Sequence, residues 1–218
     1  RGRQVIRYGD RRQPSYAWAF DRGDGLSNVG YGELLDRGNG EETPTRALLL
    51  EQLDRLLPGA GADGTDWRGH HLPLSGWRWN QPDGAVLLAG DAAGLVNPMT
   101  GEGIYYAVVT GVLAGRSAAG AVAAGTPAAA GAAHRSAVRR LLGRHLKHTW
   151  VASRLSRRSP VVDAGIRAAG RNQRIFDDLV EMGLGDGRIT PRLTSGLAAG
   201  LACGLLSGLV SSTVSDHV

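Results

Sequence analysis

Five consecutive apolar residues, Ala85-Val86-Leu87-Leu88-Ala89, run straight into Gly90-Asp91, and from Gly103 onward the chain is patterned for helix almost to its end. An apolar run that short, without alternation, reads as a strand buried on both faces. It passes through a glycine-rich loop into a helix. In sheets with such crossovers, ligands gather at the carboxyl ends of the strands. Asp91 stands at that end.

The residues before this point read as β. Tyr16, Trp18 and Phe20 fall on one side of an extended strand, because side chains alternate with period two. Arg22-Gly23-Asp24-Gly25 reads as a turn, and residues 26–32 as the return strand of a hairpin. A helix is expected over Thr45 to Leu57, capped by Thr43 or Thr45 and ended by Pro58-Gly59. Two short strands are expected near 70–73 and 77–80. After the apolar run, helices are expected from Gly103 to about Gly125, over 128–154, over 160–183, and from Thr190-Pro191 to about Ser212. The fold class is therefore α+β. Three parts are expected: a β-rich part with one helix (1–80), the apolar strand with its following helix (81–126), and a helical carboxyl-terminal region (127–218).

The last helix carries a four-residue repeat. Gly196, Gly200, Gly204 and Gly208 form a slowly drifting stripe, and Leu197, Leu201, Leu205 and Leu209 form another beside it. Such spacing allows close helix contact. Leu193 to Val210 lacks charge, near the lower limit of ~17–25 residues for a membrane span. Contact within the chain is the favoured reading, ahead of interfacial membrane contact and a true span.

Net charge is +5, and the excess of arginine lies mostly between Arg135 and Arg174. A basic helical face meets phosphate, anionic lipid or plain solvent. Aromatic content is 6% and no nucleic-acid motif is present, so nucleic acid is not an expected partner. Cys203 is the single cysteine, which suits a reducing, cytoplasmic setting. His70 and His71 point to opposite sides if extended, and no metal is expected.

The segment from Gly90 to Ile104 has the parts of an anion and hydroxyl site. An aspartate at a strand tip accepts hydrogen bonds from a sugar-like hydroxyl, worth ~1.5–3 kcal/mol to a charged acceptor. Glycines let a ligand reach backbone N–H groups. A helix start offers unpaired donors and a partial positive charge. Glu102 is a possible acid or base, but is better read as favouring the helix start by charge.

The pattern Gly90-Asp91-Ala92-Ala93-Gly94, Pro98, Thr100-Gly101-Glu102-Gly103-Ile104 resembles the second flavin-contacting motif of FAD-dependent oxidoreductases, most closely the geranylgeranyl reductase family. The resemblance implies a portion of an α/β FAD-binding fold like that of p-hydroxybenzoate hydroxylase. It implies that Asp91 binds the ribityl hydroxyls of FAD and that Pro98, Gly101, Gly103 and Ile104 lie beside the flavin ring. Gly90 and Glu102 complete the implied cofactor set. Pro14-Ser15-Tyr16-Ala17-Trp18-Ala19-Phe20 is similar to the P-x-Y-x-W-x-F-P signature of the same family, departing at Asp21. It implies that Tyr16, Trp18 and Phe20 line the cavity of an isoprenoid lipid or quinone substrate. The ending Gly185-Asp186-Gly187-Arg188-Ile189-Thr190 also resembles family tails.

The family's G-x-G-x-x-G fingerprint after an amino-terminal strand is not in this chain. The resemblance therefore fits the carboxyl-terminal portion of a family member, and the chain alone is expected to bind FAD poorly. The implied activity is hydride transfer from reduced flavin to an isoprenoid carbon–carbon double bond. NAD(P)H or another donor supplies the electrons. The implied location is cytoplasmic, with peripheral contact at the inner membrane face. A flavin-dependent monooxygenase or halogenase stays open as an alternative, although such hydroxylases often read GDAAH where this chain has Gly94. A non-catalytic, membrane-associated remnant is the third reading.

Overall fold

The computed structural model describes residues 2–35, 40 and 42–215, with 204–215 described as backbone only. The chain divides into two compact units, Arg1–His71 and Leu72–Val218.

In the first unit, β1 (Gln4–Tyr8), β2 (Ser15–Asp21) and β3 (Ser27–Glu33) form an antiparallel sheet in the order β1-β2-β3. The hairpin is the expected one, and Gly23 and Gly25 both take φ +83° in its turn. Trp18 pairs with Gly30 across the sheet. A Cβ on Gly30 would sit 2.3 Å from the Trp18 ring, so only glycine lets that ring approach β3 so closely. Helix α1 (Arg46–Leu56) packs on β2 and β3. Thr45 caps it, its hydroxyl accepting from the Leu48 N–H at 3.2 Å.

The second unit holds the long helices α2 (Ile104–Ala123) and α3 (Ala130–Leu155), then α4 (Ser159–Arg171), α5 (Gln173–Leu184) and α6 (Pro191–Ser215). Pro127 opens a short 3-10 turn leading into α3, where a proline's missing N–H costs nothing. Trp79, Leu95, Tyr106, Val138, Leu142 and Leu146 form one core between α2, α3 and the loop before α2. Ala168, Ile175, Met182 and Leu193 form a second among α4, α5 and α6. By length and composition α2 is apolar enough to cross a membrane, with 17% of that window buried.

Three expectations fail here. The strands near 70–73 and 77–80 are absent. That region is irregular, with one parallel bridge, Leu74 to Val96. The helix expected over 160–183 is two helices. Asn172 is extended, closes α4 and caps α5, its side chain accepting from the N–H groups of Arg174 and Ile175 at 3.0 and 3.4 Å. Its carbonyl-bearing side chain competes with the helix for those donors.

The third failure is the apolar strand at Ala85 to Ala89. The segment is extended at Ala89 (φ −135°, ψ 153°) but pairs with no strand among the described residues, and Val86 is 66% exposed. A fully buried strand needs neighbours on both edges. Here the Gln81 side chain stands in on one edge, donating to the Val86 carbonyl at 2.7 Å and accepting from the Leu88 N–H at 3.0 Å. His134 meets the Leu88 carbonyl on the same edge at 2.9 Å.

The glycine repeat begins as an intramolecular contact. A Cβ on Gly196 would sit 2.4 Å from Ile175 Cδ1, and one on Gly200 would sit 2.8 Å from the Ala164 carbonyl oxygen. The remainder of the stripe, Gly204 and Gly208 with Leu205 and Leu209, lies outside the residues whose side chains are described.

Asp178 ties α5 to α6. It accepts from Arg192 at 2.6 and 2.7 Å and from the Thr190 hydroxyl at 2.6 Å. The Arg192 guanidinium holds its carboxyl down at about 2. A folded value below the unfolded ~3.9 gives stability that is full above pH ~4 and lost as pH falls toward 2. Arg192 is half exposed, so the pair is partly screened. Asp178→Asn should cost about 1 kcal/mol at neutral pH and flatten this acid limb of a denaturation series.

Candidate functional site

After Ala89 the backbone turns through a single 3-10 turn, Gly90–Ala93, and reverses at Gly94. Gly90, Gly94 and Gly101 take φ of +52°, +64° and +71°. At Gly90 a Cβ would also meet Ala107 Cβ at 2.9 Å, so α2 lies directly against the loop. The Gly90 N–H is held by the Thr110 hydroxyl at 3.0 Å, one turn and a half into α2. Asp91 is thus not at the tip of a paired strand, as expected, but in a tight turn that α2 grips from behind.

The loop from Val96 to Gly103 closes on itself. Asn97 N–H donates to the Glu102 carbonyl at 2.7 Å, and Gly101 N–H to the Asn97 carbonyl at 2.9 Å. Asn97 is fully buried, donating to the carbonyls of Met182 and Gly183 at 2.9 and 3.2 Å and accepting from the Met99 N–H at 2.9 Å. The Thr100 hydroxyl donates to the same Gly183 carbonyl at 2.9 Å. The end of α5 therefore fixes the loop that carries Pro98. Pro98 itself is buried.

At the start of α2 the Glu102 carboxylate accepts from the Tyr105 N–H at 3.0 Å. This is the helix-start role expected for it. The N–H groups of Gly103 and Ile104 meet no acceptor among the described residues. A Cβ on Gly103 would sit 3.1 Å from Asp91 Oδ1. The Asp91 carboxylate is exposed, and no donor among the described residues reaches it. Ile104 is 76% exposed beside it. The structure thus brings Gly90, Asp91, Gly101, Glu102, Gly103 and Ile104 together around one turn: an acceptor, two open donors and the positive pole of α2.

Behind this turn lies a relay that the sequence did not reveal. Tyr106 and His145 are buried and hydrogen-bonded, hydroxyl to Nε2, and His145 Nδ1 meets the Gly187 carbonyl at 2.6 Å. Nδ1 must carry the proton, so Nε2 accepts from the tyrosine hydroxyl. Burial keeps both groups neutral, pushing the tyrosine up and the histidine down. His148 Nδ1 accepts the Ile189 N–H at 3.0 Å, and its value is also lowered by burial. Two histidines one turn apart thereby hold residues 187–189. Their spacing of three was the available signal.

Tyr16, Trp18 and Phe20 belong to the other unit. They share one face of β2 and are half-buried, while Ser15 and Ala17 on the opposite face are fully buried. The aromatics are therefore not the core of that sheet. Tyr8, Tyr16 and Trp18 form a continuous ring surface, with centroids 6.5 and 5.9 Å apart. His70 and His71 are exposed, and the described residues hold no group of three metal-ligating side chains.

Comparison with known proteins gives one consistent result. The chain is 34% identical over 116 residues to digeranylgeranylglycerophospholipid reductase 2 of Methanothermobacter thermautotrophicus, covering 53% of this chain and 29% of that protein. It is 36% identical over 124 residues to digeranylgeranylglycerophospholipid reductase 1 of Methanopyrus kandleri, covering 54% and 32%. It is 35% identical over 103 residues to a menaquinone reductase of Mycolicibacterium smegmatis, covering 46% and 25%. The chain thus spans about a quarter to a third of the length of these relatives. No protein-family profile and no solved structure matches it.

Proposed function

From the kinship of about half this chain with the geranylgeranyl reductases, we propose that it supplies the ring-side part of an FAD site in a reductase of isoprenoid lipids or quinones. The observation that carries this reading is the turn at Asp91. An exposed carboxylate, a glycine with no Cβ beside it, and two open N–H groups at a helix start match a ligand bearing hydroxyls at one point and negative charge at the next.

Bound there, FAD would supply hydride for reduction of a carbon–carbon double bond, with electrons from NAD(P)H or another donor. The chain's own residues position it. Asp91 would accept from ribityl hydroxyls. The N–H groups of Gly103 and Ile104 would face the pyrimidine side of the ring. Pro98 would stiffen the loop that Asn97 and Thr100 anchor to α5. Gly90, Gly101 and Glu102 hold the turn open. On the other unit, the half-exposed face of Tyr16, Trp18 and Phe20 offers an apolar surface for a prenyl chain.

In this reading the remainder of the cofactor site would come from a dinucleotide-binding half that covers the 85–89 segment. The unpaired extended segment at 85–89 supports this, as does the apolar stripe of α2: Ile104, Val108 and Val112 are exposed at i, i+4 and i+8. A sheet laid along both would bury them. The 218-residue chain alone should retain FAD well below one per chain. In the protein that carries the dinucleotide-binding half, Asp91→Ala should weaken FAD retention about tenfold or more, the worth of hydrogen bonds to a charged acceptor. Flavin absorbance against protein absorbance measures it. Retention unchanged by the substitution would remove the assignment.

A further inference from the structure

Helix α3 carries six basic residues and no acidic one in its 26 positions. They are not scattered. His134, Val138, Leu142, His145 and Thr149 are fully buried and mark the inner face. Arg139, Arg140, Arg144, Lys147 and Arg154 are exposed on the other half of the helix.

Two tryptophans sit along this face. Trp150 lies between Lys147 and Arg154 on the helix, and Trp77 reaches it from the irregular segment before the Gly90 turn. The two rings are 6.3 Å apart. Each carries an arginine: Arg78 lies 4.6 Å over Trp77 and Arg154 lies 4.7 Å over Trp150. Trp77 is 47% exposed, and Leu155 at the helix end is 44% exposed. A groove of about 340 Å³ opens beside them, lined by Trp77, Arg78, Trp79, Arg139 and Gly143 among others.

A solvated arginine face accounts for the charge but not for two neighbouring, partly exposed indoles in its midst. Indoles with a wet edge and an apolar body belong at the boundary of water and hydrocarbon. Arginines draw a positive surface to anionic headgroups, and their stems lie along apolar ground while the guanidinium stays wet.

We propose that the outer face of α3, with Trp77 and Trp150, is a docking surface for an anionic lipid bilayer. The basic side chains meet headgroup phosphates, the groove admits a headgroup beside Arg139, and the two indoles enter the interface. This rests on unit Leu72–Val218 alone and is independent of the flavin reading.

The test uses the full chain and vesicles of phosphatidylcholine with or without phosphatidylglycerol. The expected result is cosedimentation with the anionic vesicles, little with the neutral ones, and weakening as salt rises. Each basic residue removed near such a surface weakens partitioning about fivefold, so the triple variant Arg140→Gln, Arg144→Gln, Lys147→Gln should bind about 100-fold less well. These side chains are exposed, so its thermal midpoint should hold. Bromines placed shallowly in the acyl chains should quench the chain's tryptophan emission, and Trp77→Phe with Trp150→Phe should remove most of that quenching. That second readout needs no charge variant to fold. Equal binding to neutral and anionic vesicles, equal binding by the triple variant, or absent quenching overturns the proposal. Tighter binding to a duplex oligonucleotide than to anionic vesicles overturns it in favour of nucleic acid.

Discussion

Replacing His145 by alanine should cost the unit Leu72–Val218 about 3–5 kcal/mol and lower its melting temperature by roughly 10 °C. The ring is fully buried, so truncation leaves a cavity in the core with Tyr106 and Leu142. It also strands two polar groups. The Tyr106 hydroxyl loses its acceptor, and the Gly187 carbonyl loses its donor. Either group unpaired in an apolar interior costs ~1–3 kcal/mol. Tyr106→Phe should be milder, since it removes a buried donor and leaves only Nε2 without one.

The same histidines set a pH limit. Burial lowers His145 and His148 below the ordinary value of 6.5, so the unfolded chain takes up protons that the folded chain refuses. Their contribution is complete above pH ~6.5 and falls as pH drops through that value. Loss of this limb in the His145 variant, in a pH series of thermal melts, would tie it to that residue. A variant as stable as the parent chain would mean the relay contributes nothing.

Gly131→Ala is the second large effect, and its sign is the informative part. Alanine in place of a helical glycine ordinarily stabilises by about 1 kcal/mol. At this position a Cβ would stand 2.5 Å from the Pro82 carbonyl oxygen and 2.9 Å from that of Gly84. Both are backbone atoms, and the Gly84 carbonyl also accepts the Gly131 N–H at 2.8 Å. Relief requires moving α3 away from the turn that leads into the 85–89 segment. Overpacking of this kind costs about 1–3 kcal/mol and more against backbone, so the net change should be a loss of about 2 kcal/mol. Chemical denaturation reads it directly. A gain in stability would show that the approach of α3 to Gly84 is loose.

The contrast between these two sites shows what was legible beforehand. Thr45, Pro127 and Pro191 announced helix starts because a cap acts through its own few residues. The hairpin was readable from alternation around Gly23 and Gly25. Asn172, although asparagine is a good cap, is hidden inside a run of helical pattern because the periodicity on either side is nearly in phase. The 85–89 run reads as a buried strand since its composition describes the environment such a run needs, not the neighbours present among the described residues. Asn97, Thr110, His145 and Gly131 act through partners dozens of residues away, and spacing along the chain carries no trace of them. Of the candidate site, the grouping of the residues around Asp91 in one turn was legible from their spacing, while the framework that holds the turn was not.

The segment at 85–89 also bears on how copies of this chain meet one another. Gln81 and His134 occupy one edge, while the backbone groups of Leu87 have no hydrogen-bond partner among the described residues and Ala85 and Val86 are exposed beside them. An open edge of this kind is a template for any extended peptide, including another copy of itself. Two copies meeting there would pair edge to edge, a route to precipitate as concentration rises.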